Sequence, residues 1–210
     1  MIIFDFDGVL ADSLTTCLAA CTKAAHAQGV DLKLTRDAFA TLDPLTFEAL
    51  AERHNLEPVQ FAQDVAQTVS GCAQPSPLFG GVAQSLTTLA KDHDLAVVSA
   101  SHSDVIRTVL ATQGLDLLMF RIIGGDTPGQ KSEKISGLIA LRSDGPHIMV
   151  GDASSDIQAA RTAGISVIAV AWGWQTPEHL RSFAPDAMAE TPAELCRVCL
   201  ELLNPQGEQS

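Results

Sequence analysis

Five short β-branched or apolar runs alternate with stretches whose apolar residues recur at helical spacing, and this alternation limits the chain to few folds. The runs are Met1 to Phe6, Leu95 to Ser99, Arg121 to Gly124, His147 to Gly151 and Val167 to Ala171. Runs of this kind are typical of parallel strands that are buried on both faces. We therefore predict an α/β fold, with a Rossmann-like parallel sheet of about five strands flanked by helices.

The interval after the first run breaks this alternation. About 80 residues separate the first strand from the helix predicted at Gly81 to Asp92, which is much longer than an ordinary crossover. The interval itself has helical patterns at Leu14 to Gln28, around Ala38 to His54, and at Pro58 to Ser70. We predict a small α-helical cap at residues 14–78, inserted into an α/β core formed by residues 1–13 and 79–210.

The charge balance excludes several classes of partner. The chain has 13 Lys and Arg against 25 Asp and Glu, a formal net charge of −12, which repels nucleic acids and anionic lipids. The opening MIIFDFDGVL is unlike a signal peptide, and no apolar run approaches the roughly 20 residues of a membrane span. Five cysteines, an odd number, suit a reducing compartment. We expect a cytoplasmic protein that binds neither nucleic acid nor membrane.

Acidic side chains follow two of the predicted strands. Asp5 and Asp7 end the first strand, and the period of two in a strand places them on one side. Asp152 follows the fourth strand and precedes an alanine-rich helix that contains Asp156. If these strands are neighbours, the acids converge at the carboxyl edge of the sheet in an oxygen-rich site suited to Mg²⁺. Asp156 could orient that site or a lysine, or it could be a favourable charge in a first helical turn.

Two further strand ends carry groups that suit a phosphate. The second strand ends at Ser99, and the hydroxyl together with the N–H groups of the next helix could hold a phosphate, whereas Ser101 or Ser103 fits a helix cap better. A loop after the third strand delivers Lys131 to the start of a helix. A cation is unfavourable there unless an anion is nearby. Lys134, one turn later, is the competing candidate.

Four segments together resemble the haloacid dehalogenase-like hydrolases, in particular the phosphoglycolate phosphatase and beta-phosphoglucomutase branch with a helical cap. They are FDFDGVLADS, VVSAS, the loop that reaches Lys131, and GDASSDIQAARTAG, in this order along nearly the whole chain. The resemblance implies a Mg²⁺-dependent phosphatase that hydrolyses a small phosphorylated metabolite.

The resemblance also implies a role for each matching position. Asp5 would form an aspartyl-phosphate, and Asp7 would protonate the leaving group and then activate water. Mg²⁺ would be held by Asp5, by Asp7 through its backbone carbonyl, and by Asp152. Ser99, Lys131 and nearby backbone N–H groups would stabilise the transferring group. The substrate-binding positions expected beside them are Gly8 and Ala100. Asp156 would orient the metal ligands without binding the metal itself.

Other functions remain open at this stage. A sugar-phosphate mutase is the close alternative, although Arg36 and Arg53 are isolated and the cap has no evident basic motif for a second phosphate. A receiver-like signalling domain would use similar acids, Mg²⁺ and a lysine, but it lacks an inserted cap and an acid at the position of Asp7. A scaffolding protein without catalysis is the third reading. The sequence is compatible with a monomer or a homodimer.

Overall fold

The computed structural model describes residues 1–72, 75–142 and 145–203, which form a six-stranded sheet with helices on both faces. The strands are β1 (Ile2–Phe4), β2 (Leu95–Val98), β3 (Met119–Ile123), β4 (Ile148–Gly151), β5 (Ser166–Val170) and β6 (Ala187–Ala189). The strand order is β3-β2-β1-β4-β5-β6, and all neighbouring strands are parallel. This confirms the predicted parallel α/β sheet and adds a sixth strand, β6, at one edge.

Ten α-helices are present in the described part of the chain. Five of them lie between β1 and β2: α1 (Leu14–Ala27), α2 (Asp37–Ala40), α3 (Phe47–Arg53), α4 (Pro58–Ser70) and α5 (Val82–Leu89). The later ones are α6 (Ser103–Ala111), α7 (Lys131–Leu141), α8 (Ser154–Thr162), α9 (Pro177–Ser182) and α10 (Pro192–Leu203). No helix among the described residues is long and apolar enough to cross a membrane.

The alternation of side chains along the strands creates two apolar layers. Odd and even positions of β1 point to opposite faces, so Ile2 and Phe4 join one buried cluster with α5, α6 and α10, and Ile3 joins another with α7, α8 and α9. All three residues of β1 are fully buried. β1 therefore lies at the centre of the core, and the residues that follow it emerge at the middle of the carboxyl edge.

The four helices between β1 and α5 have an apolar cluster of their own. The cluster contains Leu14, Cys21, Phe39, Leu50 and Phe61, and it also includes Trp174 from the loop after β5. The chain enters and leaves these helices through paired backbone: Phe79 donates its N–H to Leu10 O at 2.9 Å, and Asp12 donates to Pro77 O at 2.8 Å. From its terminal position we expect Asn204 to Ser210 to be a frayed end, and these residues lie outside the described part of the chain.

Candidate active site

The first acid of the site stands directly after β1. Asp5 donates its N–H to Val150 O at 2.9 Å, which continues the pairing of β1 with β4 by one residue. Its Oδ1 accepts a hydrogen bond from the Phe6 N–H at 2.7 Å, and the residue is 9% exposed. The Asp5 carboxylate is therefore held at the end of the central strand and remains reachable from outside.

The second acid stands at the same edge, one strand away. Asp152 follows β4 and is 1% exposed. Its Oδ2 accepts from the Trp174 N–H at 2.7 Å, whereas its Oδ1 is buried and has no hydrogen-bond partner among the described residues. A buried carboxylate oxygen without a partner is unfavourable, and a cation would satisfy it.

Asp156 and Lys131 complete the cluster. Asp156, fully buried in the first turn of α8, accepts at Oδ2 from the Asp152 and Ala153 N–H groups at 3.1 and 3.2 Å. Its Oδ1 accepts from Lys131 Nζ at 2.6 Å, and the same Nζ lies 3.2 Å from Asp5 Oδ2. Both readings of Asp156 thus apply at once, because the carboxylate caps the turn and orients the lysine.

The neighbouring helix explains why Lys131, rather than Lys134, reaches the acids. Gln130 donates its N–H to Glu133 Oε2 at 2.7 Å, and this bond fixes the start of α7 so that its first residue faces the sheet edge. Lys134 turns away and donates from Nζ to Gly124 O at 3.0 Å. Lys131, and not the competing candidate Lys134, therefore lies beside the acidic side chains.

The site carries more negative than positive charge in a buried setting. One oxygen from each of Asp5, Asp152 and Asp156 lies within 4.8 Å of the others, beside the single ammonium of Lys131. Burial, and next the charge of Asp156, holds the pKa of Asp152 well above its ordinary value. Burial also raises the pKa of Asp156 to about 6, although Lys131 opposes the shift. For Lys131 burial lowers the pKa, but Asp156 and Asp5 outweigh it and the net shift is upward.

These features fit a hard divalent cation. Mg²⁺ prefers oxygen ligands, and a Mg²⁺ ion would offset the charges that burial leaves uncompensated. The carboxylates that gather are those of Asp5, Asp152 and Asp156, whereas the Asp7 side chain is not part of this group. Asp7 could therefore contribute to a metal only through its backbone, which is the contribution that the resemblance implies.

The Asp7 carboxylate faces the end of β2 instead. Its Oδ2 accepts from the Ser101 hydroxyl, and burial raises the pKa of Asp7 while this hydrogen bond opposes the shift. Ser99 is buried, and its Oγ accepts from the Ser101 N–H at 3.3 Å. The interpretation of Ser101 or Ser103 as the cap of α6 is wrong, because His102 occupies that position and accepts from the Asp104 N–H at Nδ1.

The two expected substrate-binding positions differ in what they offer. Gly8 donates its N–H to Ala11 O at 3.0 Å, so this donor is already used within the chain. It has φ of +79°, and a side chain there would collide with Asp152 Oδ2 and with the Trp174 ring, so the position requires glycine. Ala100 is exposed, and its N–H has no acceptor among the residues described.

Three residues make contacts at this site that the sequence does not predict. Ser101 bonds to Asp7, Trp174 bonds to Asp152 through its N–H, and the Gln175 side chain accepts from the Ser154 N–H at 2.6 Å. The resemblance also implies that the Trp172–Gly173–Trp174 segment lies near this edge, where it would pack beneath a cap or touch substrate, and the Trp174 N–H does reach Asp152 there. No spacing in the sequence connects Gln175 with Ser154, since their contact depends on the pairing of β4 with β5.

Comparison with known proteins places this geometry in a family. Residues 2–170 match the model of the haloacid dehalogenase-like hydrolases. The chain is 34% identical to a phosphoglycolate phosphatase of Synechococcus elongatus over 96% of this chain and 98% of that protein. It is 32% identical to pyrophosphatase PpaX of Listeria monocytogenes over 57% of this chain and 58% of that protein.

Solved structures agree in fold. A haloacid dehalogenase-like family hydrolase from Streptococcus pneumoniae superposes with a TM-score of 0.74 at 20% identity, over 94% of this chain and 97% of that one. The family match covers most of the sequence, and the similarity to the Synechococcus elongatus protein extends over nearly all of it. This chain therefore belongs to the haloacid dehalogenase-like hydrolases.

Proposed function

We propose that this chain is a Mg²⁺-dependent phosphatase that hydrolyses a small phosphomonoester through an aspartyl-phosphate on Asp5, as a phosphoglycolate phosphatase would. The observation that carries the proposal is the Asp5 carboxylate, which stands reachable at the sheet edge with Lys131 Nζ 3.2 Å from its Oδ2. Near full-length similarity to a phosphoglycolate phosphatase supports the same reaction class.

Asp5 acts as the nucleophile in this scheme. A carboxylate oxygen of Asp5 attacks phosphorus, the bond between phosphorus and the ester oxygen breaks, and the phosphoryl group is left on Asp5. The hydrogen bond from the Phe6 N–H fixes the carboxylate against rotation, so that it is already oriented when substrate arrives. Water then attacks the aspartyl-phosphate and releases inorganic phosphate and free Asp5.

Asp7 serves as the acid and then as the base. Burial raises the pKa of Asp7, which increases the protonated fraction available to the leaving alkoxide. After the proton has left, the Asp7 carboxylate removes a proton from the attacking water. The Ser101 hydroxyl donates to Asp7 Oδ2 and fixes the orientation of the carboxylate for this transfer.

The phosphoryl group needs a cation and hydrogen-bond donors that stabilise its negative charge during transfer. Lys131, the Ser99 hydroxyl and the Ala100 N–H stand around the end of β2 and the start of α7, and they would stabilise its equatorial oxygens. Asp5, Asp152 and the backbone carbonyl of Asp7 would hold Mg²⁺, with Asp156 behind them. When bound, Mg²⁺ supplies charge neutralisation for the phosphoryl oxygens.

We further propose that residues 14–78 form a cap over a core of residues 1–13 and 79–210. The helices α1 to α4 have their own apolar cluster, and the chain enters and leaves them through paired backbone at residues 10–12 and 77–79. A cap of this kind excludes bulk water and chooses the substrate.

One contact favours hydrolysis over the mutase alternative. Arg36, a cap arginine, donates from Nη2 to Trp172 O and Gly173 O at 3.1 and 2.6 Å. Because the Arg36 guanidinium already donates to these backbone carbonyls, it is poorly placed to bind the second phosphate of a sugar bisphosphate.

A panel of phosphate esters tests the proposal. Phosphoglycolate, a hexose phosphate, a nucleoside monophosphate and pyrophosphate are assayed for phosphate release with Mg²⁺ and with EDTA. We expect multiple turnovers with Mg²⁺ alone, and a loss of kcat in Asp5→Asn of at least about 10⁴-fold. Asp186→Asn is the matched control, because Asp186 lies outside the site and accepts from the Val167 N–H.

Three outcomes would contradict the proposal. Wild-type turnover in Asp5→Asn would exclude the covalent intermediate. Movement of phosphate between positions of a sugar without net release would indicate a mutase. Retention of a single phosphoryl group without turnover would indicate a receiver-like domain.

A further inference from the structure

The cap contacts the core through a short segment that is bonded to the loop after β5. We name residues 36–43 the docking segment and residues 172–176 the tryptophan loop. Arg36 donates to the carbonyls of Trp172 and Gly173, and Thr176 donates its N–H to Ala40 O at 2.9 Å. These bonds hold the docking segment on the core at both ends of the tryptophan loop.

Gln175 lies in the middle of this contact and is 1% exposed. Its Nε2 donates to Leu42 O at 2.5 Å in the docking segment, and its Oε1 accepts from the Ser154 N–H at 2.6 Å at the start of α8. The Ser154 hydroxyl donates to Asp43 Oδ1 at 2.9 Å, so the docking segment and α8 are also joined directly. One buried amide thus connects the cap with the helix that follows Asp152.

Trp174 makes a second connection through the adjacent residue. Its backbone N–H donates to Asp152 Oδ2 at 2.7 Å, while its ring lies in the apolar cluster of the cap, with its centroid 4.9 Å from that of Phe39. Withdrawal of the docking segment would strip the Trp174 ring of its packing partners. The backbone that holds Asp152 would then lose its support.

Undocking therefore has a cost that is concentrated at a few groups. The bonds from Gln175 Nε2 to Leu42 O and from the Ser154 hydroxyl to Asp43 Oδ1 exist only while the segment is docked, and undocking would leave the buried amide donor of Gln175 without its partner. The docked arrangement also places the negative Asp43 beside the N-terminus of α8, where a negative charge is favourable.

We propose that Gln175 is a positioning residue that couples docking of the cap segment 36–43 to the orientation of the Asp152 carboxylate. Substrate recognition in the cap and assembly of the acidic site are then one cooperative event. Because this role rests on the metal site of the function proposed above, its test includes a measurement that does not require turnover.

The Thr176 N–H reports docking directly, since its acceptor, Ala40 O, belongs to the docking segment. Hydrogen exchange of this amide is measured in wild type, in Gln175→Glu and in Gln158→Glu. The first variant keeps an oxygen for the Ser154 N–H and replaces only the donor that faces Leu42 O. The second makes the same chemical change at an exposed position of α8, without contact to the docking segment.

We expect exchange at Thr176 to accelerate at least about 10-fold in Gln175→Glu and to stay unchanged in Gln158→Glu. The Ala171 N–H, which bonds to Ala189 O within the core, should keep its wild-type rate in both variants. Equal acceleration at Ala171 and Thr176 would mean general destabilisation and would overturn the proposal, as would no change at Thr176.

Wild-type protein gives an independent test that does not depend on the folding of any variant. Coupling is reciprocal, so Mg²⁺ that binds Asp152 must slow exchange at Thr176. We also expect the Mg²⁺ affinity of Gln175→Glu to fall about 10- to 100-fold. Saturation with Mg²⁺ that leaves Thr176 exchange unaltered would refute the coupling. If exchange responds as expected but no phosphate ester is hydrolysed, the coupling stands and the proposed function fails.

Discussion

Replacing Asp152 by Asn should make the metal-free protein more stable while it abolishes metal binding. Asp152 is fully buried, one of its oxygens has no partner, and the carboxylates of Asp5 and Asp156 lie within 4.8 Å. The asparagine keeps an oxygen for the Trp174 N–H and points an amide donor at the two remaining carboxylates. The substitution therefore removes a charge repulsion without removing the hydrogen bond.

The size of the gain follows from two bounds. Two like charges 4.8 Å apart cost about 3.5 kcal/mol at an effective dielectric constant of about 20. Protonation of Asp152 limits the penalty, since neutralising a carboxyl with an unfolded pKa of about 3.9 costs about 5 kcal/mol at a pH of about 7.5. Lys131 offsets part of the repulsion, so we expect the free energy of unfolding to rise by about 2–4 kcal/mol, or Tm by about 5–15 °C.

Thermal melts in EDTA and in excess Mg²⁺ measure both effects. Wild type should gain about 2.7 kcal/mol when Mg²⁺ is present at about 100 times its Kd, and Asp152→Asn should gain nothing. Asp186→Asn is the control, with a wild-type melting temperature and a wild-type response to Mg²⁺. The reasoning would be refuted if Asp152→Asn melted below wild type in EDTA, because the Asp152 charge would then not destabilise the metal-free protein. It would also be refuted if Mg²⁺ still stabilised the variant, because Asp152 would then not be needed for metal binding.

Two other changes probe the same site. Gly8→Ala should lose about 1–3 kcal/mol more stability in urea melts than the control Gly29→Ala. Both positions have positive φ, but a side chain at position 8 would collide with Asp152, whereas nothing lies within 4 Å of one at position 29. Equal losses in the two variants would contradict this reasoning. Since burial raises the folded-state pKa of Asp156 to about 6, above its unfolded value, the metal-free protein should lose stability from this group as the pH rises from about 4 to about 6. Asp156→Asn should make this slope shallower in melts over that range without removing it, because the pKa values of Asp152 and Asp7 are also raised, and an unchanged slope would assign it to those groups alone.

Strand positions were predictable because β-branched apolar runs between helices have few alternatives. The sixth strand, Ala187–Ala189, was missed because three residues containing two alanines have little strand preference, and only the partner β5 makes them a strand. The helix Pro177–Ser182 was also missed, although Thr176 followed by a proline is a usual helix start, and Thr176 Oγ1 does accept from the His179 N–H.

The acids of the site could be found from sequence, because Asp5 and Asp152 each follow an apolar run directly. The direction of each side chain could not be found in this way. Asp7 turns toward Ser101 and leaves its place in the acidic cluster to Asp156, an arrangement that depends on how closely α8 and the end of β2 approach β1. The contacts of Gln175 could not be predicted for the same reason, since its partners are Leu42 O, which is distant in sequence, and the Ser154 N–H at the start of α8.

The central place of β1 also determines when this protein can fold during its synthesis. β1 is translated first, yet its neighbours pair Ile2 with Leu95 on one side and with Ile148 on the other. At about 5–20 residues per second, roughly 7–30 seconds pass before the second neighbour has been made. Throughout that time the most apolar strand has one partner or none, and contacts between such distant residues form slowly. The nascent chain therefore cannot complete the centre of its sheet until β4 has left the ribosome.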